Sequence, residues 1–281
     1  MHNEKHIHCF RAQFLSFQSL YAMRTLSFDD FLETPQGQTL LEWESAQYDE
    51  IVSDAFGYSA LQVGCPGLDT LKDNRIARHW LTDTSFERLD TLGKETRFSP
   101  VQAESAWLPF ESDSMDLVTL PHTLDFSESP QQALREAARV LHPEGRVVLT
   151  AFNPMSLWWL RQKGVALGCN AYLPSRAVPI SLYRLKDWLT LLGFEIDRGR
   201  FGIYTPWCRS MKTFRRWNWL NKAGDRWAPH CANLIMLSAV KRLPGTNRLE
   251  ASPLEMAAEI ITGRKPLPVR REAHKEPPSA S

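Results

Sequence analysis

One feature constrains the fold of this chain more than any other. Between residues 58 and 152, short apolar runs that end in turn residues alternate with helical patterns. Ala60-Leu61-Gln62-Val63 runs into Gly64-Cys65-Pro66-Gly67 and reads as a buried strand broken by a tight turn. His79–Thr82, ending at Asp83, reads as a second strand, Phe98–Gln102 as a third, and Asp116–Leu120, closed by Pro121-His122, as a fourth. The best-marked helix covers about 130–141, with Ser129 as cap, Pro130 in the first position and Leu134, Ala137, Ala138 and Leu141 as its apolar stripe. His142-Pro143-Glu144-Gly145 ends it, and Arg146–Phe152 is a fifth strand.

Flanking elements extend the pattern. Residues 38–56 form a helix with Leu41, Tyr48, Ile51, Val52 and Ala55 on one face, and residues 68–75 form a short one. Ser181 opens a helix with Leu182, Leu185, Trp188, Leu189 and Leu192 inward and Gly193 at its end. Phe194-Glu195-Ile196 begins a sixth strand, and Asn233–Val240 is the last. Such alternation predicts an α/β domain with a mostly parallel sheet.

Composition narrows the function classes. Lys+Arg number 33 against 32 Asp+Glu, so no chain-wide polybasic or polyacidic design exists. No apolar run reaches the length of a membrane-spanning helix. Five widely spaced Cys with no Cys-x-x-Cys pair support neither a zinc site nor a disulfide framework, which suits a reducing, cytoplasmic setting and no metal. Residues 12–23 lack charge, but two Gln and two Ser interrupt them and no small-x-small cleavage site follows. Residues 1–29 therefore read as an extension, with Met23 as an alternative initiator. The domain spans 30–242, with an insertion at about 205–230. Residues 243–281, with six Pro, read as a disordered tail.

Parallel α/β sheets bind ligands at the carboxyl ends of their strands. That directs attention to Gly64–Gly67, Asp83, Glu104, Pro121-His122 and Asn153. Gly64 and Gly67 let the backbone approach a ligand, or simply make a tight turn. Asp83 lies 19 residues after Gly64, a spacing that suits a carboxylate on ribose hydroxyls or an ordinary loop carboxylate. Gly-x-Gly-x-x-Gly is absent, which disfavours a nucleotide-dependent oxidoreductase.

A longer ordered pattern is more specific. Val101-Gln102-Ala103-Glu104-Ser105-Ala106-Trp107-Leu108-Pro109-Phe110 precedes Ser114-Met115-Asp116-Leu117-Val118, then His122-Thr123-Leu124-Asp125, then Leu134-Arg135-Glu136-Ala137-Ala138-Arg139-Val140-Leu141-His142-Pro143-Glu144-Gly145. This resembles the class I S-adenosylmethionine-dependent methyltransferases of the methyltransferase type 11 group. Asp54–Gly64, Asn74-Arg75-Ile76, Asn153–Trp158 and Arg184–Leu189 are similar to a proteobacterial subgroup of unassigned substrate. The resemblance implies a Rossmann-like class I methyltransferase fold, with a mostly parallel seven-stranded sheet and helices on both faces. It implies S-adenosyl-L-methionine as cofactor. Gln62, Gly64, Cys65 and Gly67 would lie along its methionine half, and Asp83 would take the ribose hydroxyls. Glu104, Ser105 and Trp107 would surround the adenine, and Leu120, Pro121 and His122 would sit beside the sulfonium. His122 is also the nearest candidate base, against a packing role in the turn.

This chain departs from the family pattern in its glycine turn. Gln62 stands where an acidic residue usually helps hold the cofactor's ammonium group, and Pro66 and Leu68 replace glycines. Charged hydrogen bonds are worth about 1.5–3 kcal/mol against about 1 for neutral ones, which predicts roughly tenfold weaker binding. Two functions stay open: methyl transfer to a small or carrier-bound acceptor, and a non-catalytic protein of the same fold that no longer binds cofactor. Asn153-Pro154-Met155-Ser156 resembles the Asn-Pro-Pro-Tyr motif of amino-group methyltransferases, but it follows the fifth strand, not the fourth, and reads as a turn. Residues 198–226 hold eight basic residues and one acid, with Met211, Phe214, Trp217 and Leu220 at helical spacing. A solvated amphipathic helix, a nucleic-acid surface and a weak anionic-surface contact all fit this stretch, and a substrate lid fits its place in the chain.

Overall fold

A computed structural model describes residues 27–90, 97–164, 172–174, 176–206, 216–217, 220–221 and 229–242. Seven strands form one sheet in the order β3-β2-β1-β4-β5-β7-β6. They are β1 (Ser59–Val63), β2 (Arg78–Asp83), β3 (Phe98–Gln102), β4 (Met115–Pro121), β5 (Leu141–Phe152), β6 (Phe194–Gly202) and β7 (Leu234–Lys241). The first five are mutually parallel, and β7 runs antiparallel to both β5 and β6. The expected class I methyltransferase architecture is therefore present.

Each central strand is buried on both faces. Ala60, Leu117 and Val148 point into one core, while their neighbours Leu61, Val118 and Val147 point into the other. This is why the strands read as continuous apolar runs, as fully covered parallel sheets do. The first core is covered by α1 (Phe28–Leu32) and α2 (Pro35–Val52), which contribute Phe31, Leu40, Tyr48, Ile51 and Val52. The second is covered by α5 (Pro130–Val140) and α7 (Leu182–Leu191), through Leu134, Ala137, Leu185 and Leu189. The remaining helices are α3 (Phe86–Asp90), α4 (Thr123–Phe126) and α6 (Leu157–Lys163). No helix among the described residues is long and apolar enough to cross a membrane.

The structure corrects several local readings. The helix expected over 38–56 begins at Pro35, because the Thr34 hydroxyl accepts the Gly37 N–H at 3.2 Å and Pro35 suits the first position. No helix forms at 68–75. Asp69 and Asn74 accept the N–H groups of Leu71 and Ile76 at 3.0 and 2.7 Å, and these local bonds compete with helical ones. Ser129 occupies the cap of α5 without its hydroxyl making the capping bond. The strand expected from Arg146 begins at Leu141, where it pairs with Met115. The register then shifts, so the His142–Gly145 segment bulges within the strand. Arg198 and Arg200 are not part of a basic helix. They lie in β6 and pair with Asp54 and Glu50 of the covering layer at 2.8 and 2.7 Å. Most of 207–228, and all of 1–26 and 243–281, fall outside the described residues.

The contact between α1 and α2 is unusually close. A Cβ on Gly37 would stand 2.1 Å from the Phe31 carbonyl oxygen and 2.5 Å from Leu32 Cα. Those are backbone atoms and cannot swing aside. Gly37→Ala is expected to lose about 3 kcal/mol, the upper end for overpacking, seen as a lower urea midpoint at unchanged slope.

Candidate active site

Parallel register brings the carboxyl ends of the central strands level. Val63 pairs with Thr82, Asp83 with Gln102 and Pro121 with Thr150. Gly64 follows Val63 with φ +77°, and Cys65 also adopts left-handed backbone at φ +49°. The Gly64 N–H donates to Thr82 O at 2.7 Å, which anchors the turn to β2. A side chain at Gly64 would meet nothing nearer than Thr123 Oγ1 at 3.5 Å, and one at Gly67 nothing nearer than Leu32 Cδ1 at 3.6 Å. The turn thus keeps open space in front of it, but positive φ still reserves position 64 for glycine.

Gln62 does not face that space. It is 1% exposed and points back into the loop. Its amide nitrogen donates toward the carbonyls of Gly64, Cys65 and Leu68 at 3.2, 2.9 and 2.7 Å. Its oxygen accepts from Thr70 N–H and Thr70 Oγ1 at 3.1 and 2.8 Å. Carbonyls can only accept and an N–H can only donate, so these partners fix the orientation of the amide. Gln62 is therefore a staple for the 64–70 loop, and its side chain has no capacity left for a cofactor's ammonium group.

Asp83 closes β2, 4% exposed. Its Oδ1 accepts from Ser85 N–H at 2.8 Å and from Arg88 at 2.7 Å. Oδ2 has no hydrogen-bond partner among the described residues. Beyond β3, Glu104 is exposed, and its carbonyl accepts the Trp107 N–H at 3.0 Å. That turn leaves the Trp107 ring 68% exposed. Half-buried Ser105 reaches Ser127 Oγ at 3.4 Å. Arg139 and Glu136 hold the Leu108–Phe110 turn from below through Leu108 N–H, Leu108 O and Phe110 O. A carboxylate, a free aromatic face and a glycine-opened turn at neighbouring strand ends fit the adenosine part of S-adenosylmethionine. They leave its amino-acid end without the acid usual at position 62.

The structure joins His122, singled out in the sequence, to two acids that the sequence reading gave no role, Glu44 and Asp125. Leu120, Pro121 and His122 end β4, all buried, with His122 in left-handed backbone at φ +53°. Its ring lies tilted against those of Phe152 and Phe28, with centroids 4.2 and 5.5 Å away. His122 Nδ1 lies 2.8 Å from Asp125 Oδ2, and Nε2 lies 3.2 Å from Glu44 Oε1 of α2. The second approach is an ion-pair distance without hydrogen-bond alignment, so both Glu44 oxygens lack a hydrogen bond. Asp125 Oδ2 also accepts the Phe152 N–H at 2.8 Å. All three side chains are fully buried.

Burial works against the imidazolium, but the Glu44 charge and the Asp125 hydrogen bond outweigh it and push the His122 pKa up to about 9. Burial raises the Asp125 carboxyl, against the opposing His122 bond. Burial, with Glu44 next, raises the Tyr48 hydroxyl and the Cys65 thiol. His122 is thus held as a cation between two acids, and it has no lone pair free to take a proton from an acceptor. The sequence did carry a signal for Glu44: it stands four residues before Tyr48 and seven before Ile51, a lone acid in an apolar stripe.

Asn153 builds a turn, as expected. Its Oδ1 accepts Met155 N–H at 3.0 Å and its Nδ2 donates to His230 O and Ala232 O, both at 2.8 Å. Trp158, one of the tryptophans concentrated in the second half of the chain, is a core residue whose Nε1 donates to Thr205 O at 2.9 Å. No group of His, Cys, Asp and Glu that could hold a metal ion occurs among the described residues.

Comparison with known proteins bears on this geometry. Residues 61–149 match a family model described as a methyltransferase domain. An uncharacterized Escherichia coli K12 protein, YafS, is 41% identical over 38% of this chain and 44% of its own length. A demethylmenaquinone methyltransferase from Clavibacter sepedonicus is 36% identical over 30% of this chain and 34% of its own. The matched regions span less than half of either relative. Among solved structures, an S-adenosylmethionine-dependent methyltransferase from Archaeoglobus fulgidus superposes with a TM-score of 0.52 at 17% identity, covering 72% of this chain and 94% of that one. Over residues 61–149 this chain is thus similar to methyltransferase domains. The fold is that of class I S-adenosylmethionine-dependent methyltransferases.

Proposed function

We infer that this chain binds S-adenosylmethionine across the carboxyl ends of β1, β2 and β4 and catalyses methyl transfer to a small or carrier-bound acceptor. The observation that supports this reading best is that the methyltransferase-domain match, residues 61–149, contains the ends of β1, β2 and β3, which Gly64–Gly67, Asp83 and the Glu104–Trp107 turn follow or close. The bound cofactor supplies an electrophilic methyl group on a good leaving group, so the protein's task is alignment rather than activation. Asp83 Oδ2 takes the ribose hydroxyls. Trp107 and Ser105 flank the base. The α1–α2 layer, with Phe28 and Phe31 packed over His122 and Phe152, keeps water from the reacting atoms.

Equilibrium dialysis against methyl-labelled S-adenosylmethionine tests the reading. Saturable binding of one cofactor per chain at micromolar to submillimolar concentration is expected. Absence of binding at millimolar ligand would instead favour the non-catalytic alternative, in which the stapled glycine turn no longer accepts the methionine end. Comparing methylated metabolites of cells with and without the protein would then identify the acceptor.

A further inference from the structure

The buried cluster at the end of β4 is out of electrical balance. Glu44 and Asp125, when ionised, place two negative charges beside the single positive charge of His122. Among the described residues, no Lys or Arg hydrogen-bonds or ion-pairs with either acid. Three of the four carboxylate oxygens, Glu44 Oε1, Glu44 Oε2 and Asp125 Oδ1, are buried without a hydrogen-bond partner. An uncompensated buried carboxylate is among the costliest features a fold can keep. Such a feature persists where a ligand supplies what is missing.

The place of the cluster limits what that ligand is. Glu44 projects from α2 toward two segments. On one side is the glycine turn, whose Cys65 packs in the same core as Leu40 and Tyr48 of α2. On the other is the β4 end, where Glu44 meets His122. Thr123 ties those two segments together, since its Oγ1 donates to Val63 O and faces Gly64. Gln62, the polar side chain nearest the turn in sequence, is saturated by the loop itself. A positively charged group reaching the β4 end meets Glu44, whose two oxygens lack a hydrogen bond and whose one ion pair among the described residues is with His122.

We propose that Glu44, backed by His122 and Asp125, is the anionic partner of the α-ammonium group at the methionine end of the cofactor. The assignment rests on the reading of the chain as an S-adenosylmethionine-binding protein. It makes Glu44 the replacement, from a different element, for the charge that position 62 lacks.

The test is calorimetric titration of the full chain and of its Glu44→Gln variant with two neutral thioethers. S-adenosylhomocysteine carries the ammonium group, whereas 5′-methylthioadenosine has the same adenosine and sulfur but no amino-acid end. Glu44→Gln is expected to weaken S-adenosylhomocysteine by roughly 10–100-fold, the worth of a charged hydrogen bond, and to leave 5′-methylthioadenosine within twofold. Glu44→Asp should recover part of the loss. The pair of thioethers supplies the control for a merely structural role. Glu44→Gln removes the charge that holds the His122 cation, so the melting temperature is expected to fall; a structural role alone would weaken both thioethers alike, whereas the ammonium contact weakens S-adenosylhomocysteine alone. Unchanged S-adenosylhomocysteine affinity in the variant, or equal weakening of both thioethers, would overturn the assignment alone. Failure of the wild-type chain to bind either thioether would overturn the parent reading and the assignment with it.

Discussion

Replacing His122 with Asn is expected to destabilise the protein by about 3–5 kcal/mol, because it removes the only cation from a pair of buried acids. Asn adopts left-handed backbone readily, so the φ of +53° at this position does not account for the loss. For a domain of this size the melting temperature should fall by roughly 6–20 °C. The same residue sets a pH dependence. Its pKa rises from 6.5 to about 9 on folding, so its contribution is complete below 6.5 and disappears as pH climbs through 9. That contribution amounts to about 3 kcal/mol. Denaturant titrations between pH 6 and 10 should therefore show wild-type stability falling across the alkaline half. The Asn variant should be lower at neutral pH and flatter. A parallel fall in both proteins would show that another group drives the change.

Gln62→Glu carries the second large effect, and its direction is counter-intuitive. Glu restores the residue type usual at this position in the family, yet here it should damage the protein. The amide donates to three carbonyl oxygens within 3.2 Å, and a carboxylate has no hydrogen to give them. A buried negative charge would face three partial negative charges, at a cost of about 3–5 kcal/mol. Protonation would return one donor, so the deficit should shrink as pH falls toward the carboxyl range. Measured urea midpoints at neutral and mildly acidic pH check both parts. Gln62→Glu with full stability and tighter cofactor binding would show that position 62 faces the ligand after all.

Both residues show what the sequence could reveal and what it could not. The strands were legible because burial on two faces leaves an uninterrupted apolar signature, as in Asp116–Leu120 and Arg146–Phe152. The position of Asp83 and the glycine turn at strand ends was legible because each closes a short apolar run. The role of Gln62 was not, since it depends on a loop conformation in which Asp69 and Asn74 hold turns where a helix was expected. His142–Gly145 marked a break, but only the pairing of Leu141 with Met115 shows that the strand starts before it. Glu44 stayed hidden for a different reason. An acid in an amphipathic helix is ordinarily solvated, and its partner His122 is remote in sequence and near only in the fold. Most of the basic stretch at 198–226 lies outside the described residues.

The most direct measurement is a crystal structure of the full chain grown with millimolar S-adenosylhomocysteine. The account predicts one ligand across the strand ends, with its ribose on Asp83, its base against Trp107 and its ammonium group at Glu44. A ligand bound elsewhere, or a well-ordered site with Gln62 still stapling the turn and no ligand in front of it, would contradict the claim that this chain uses S-adenosylmethionine.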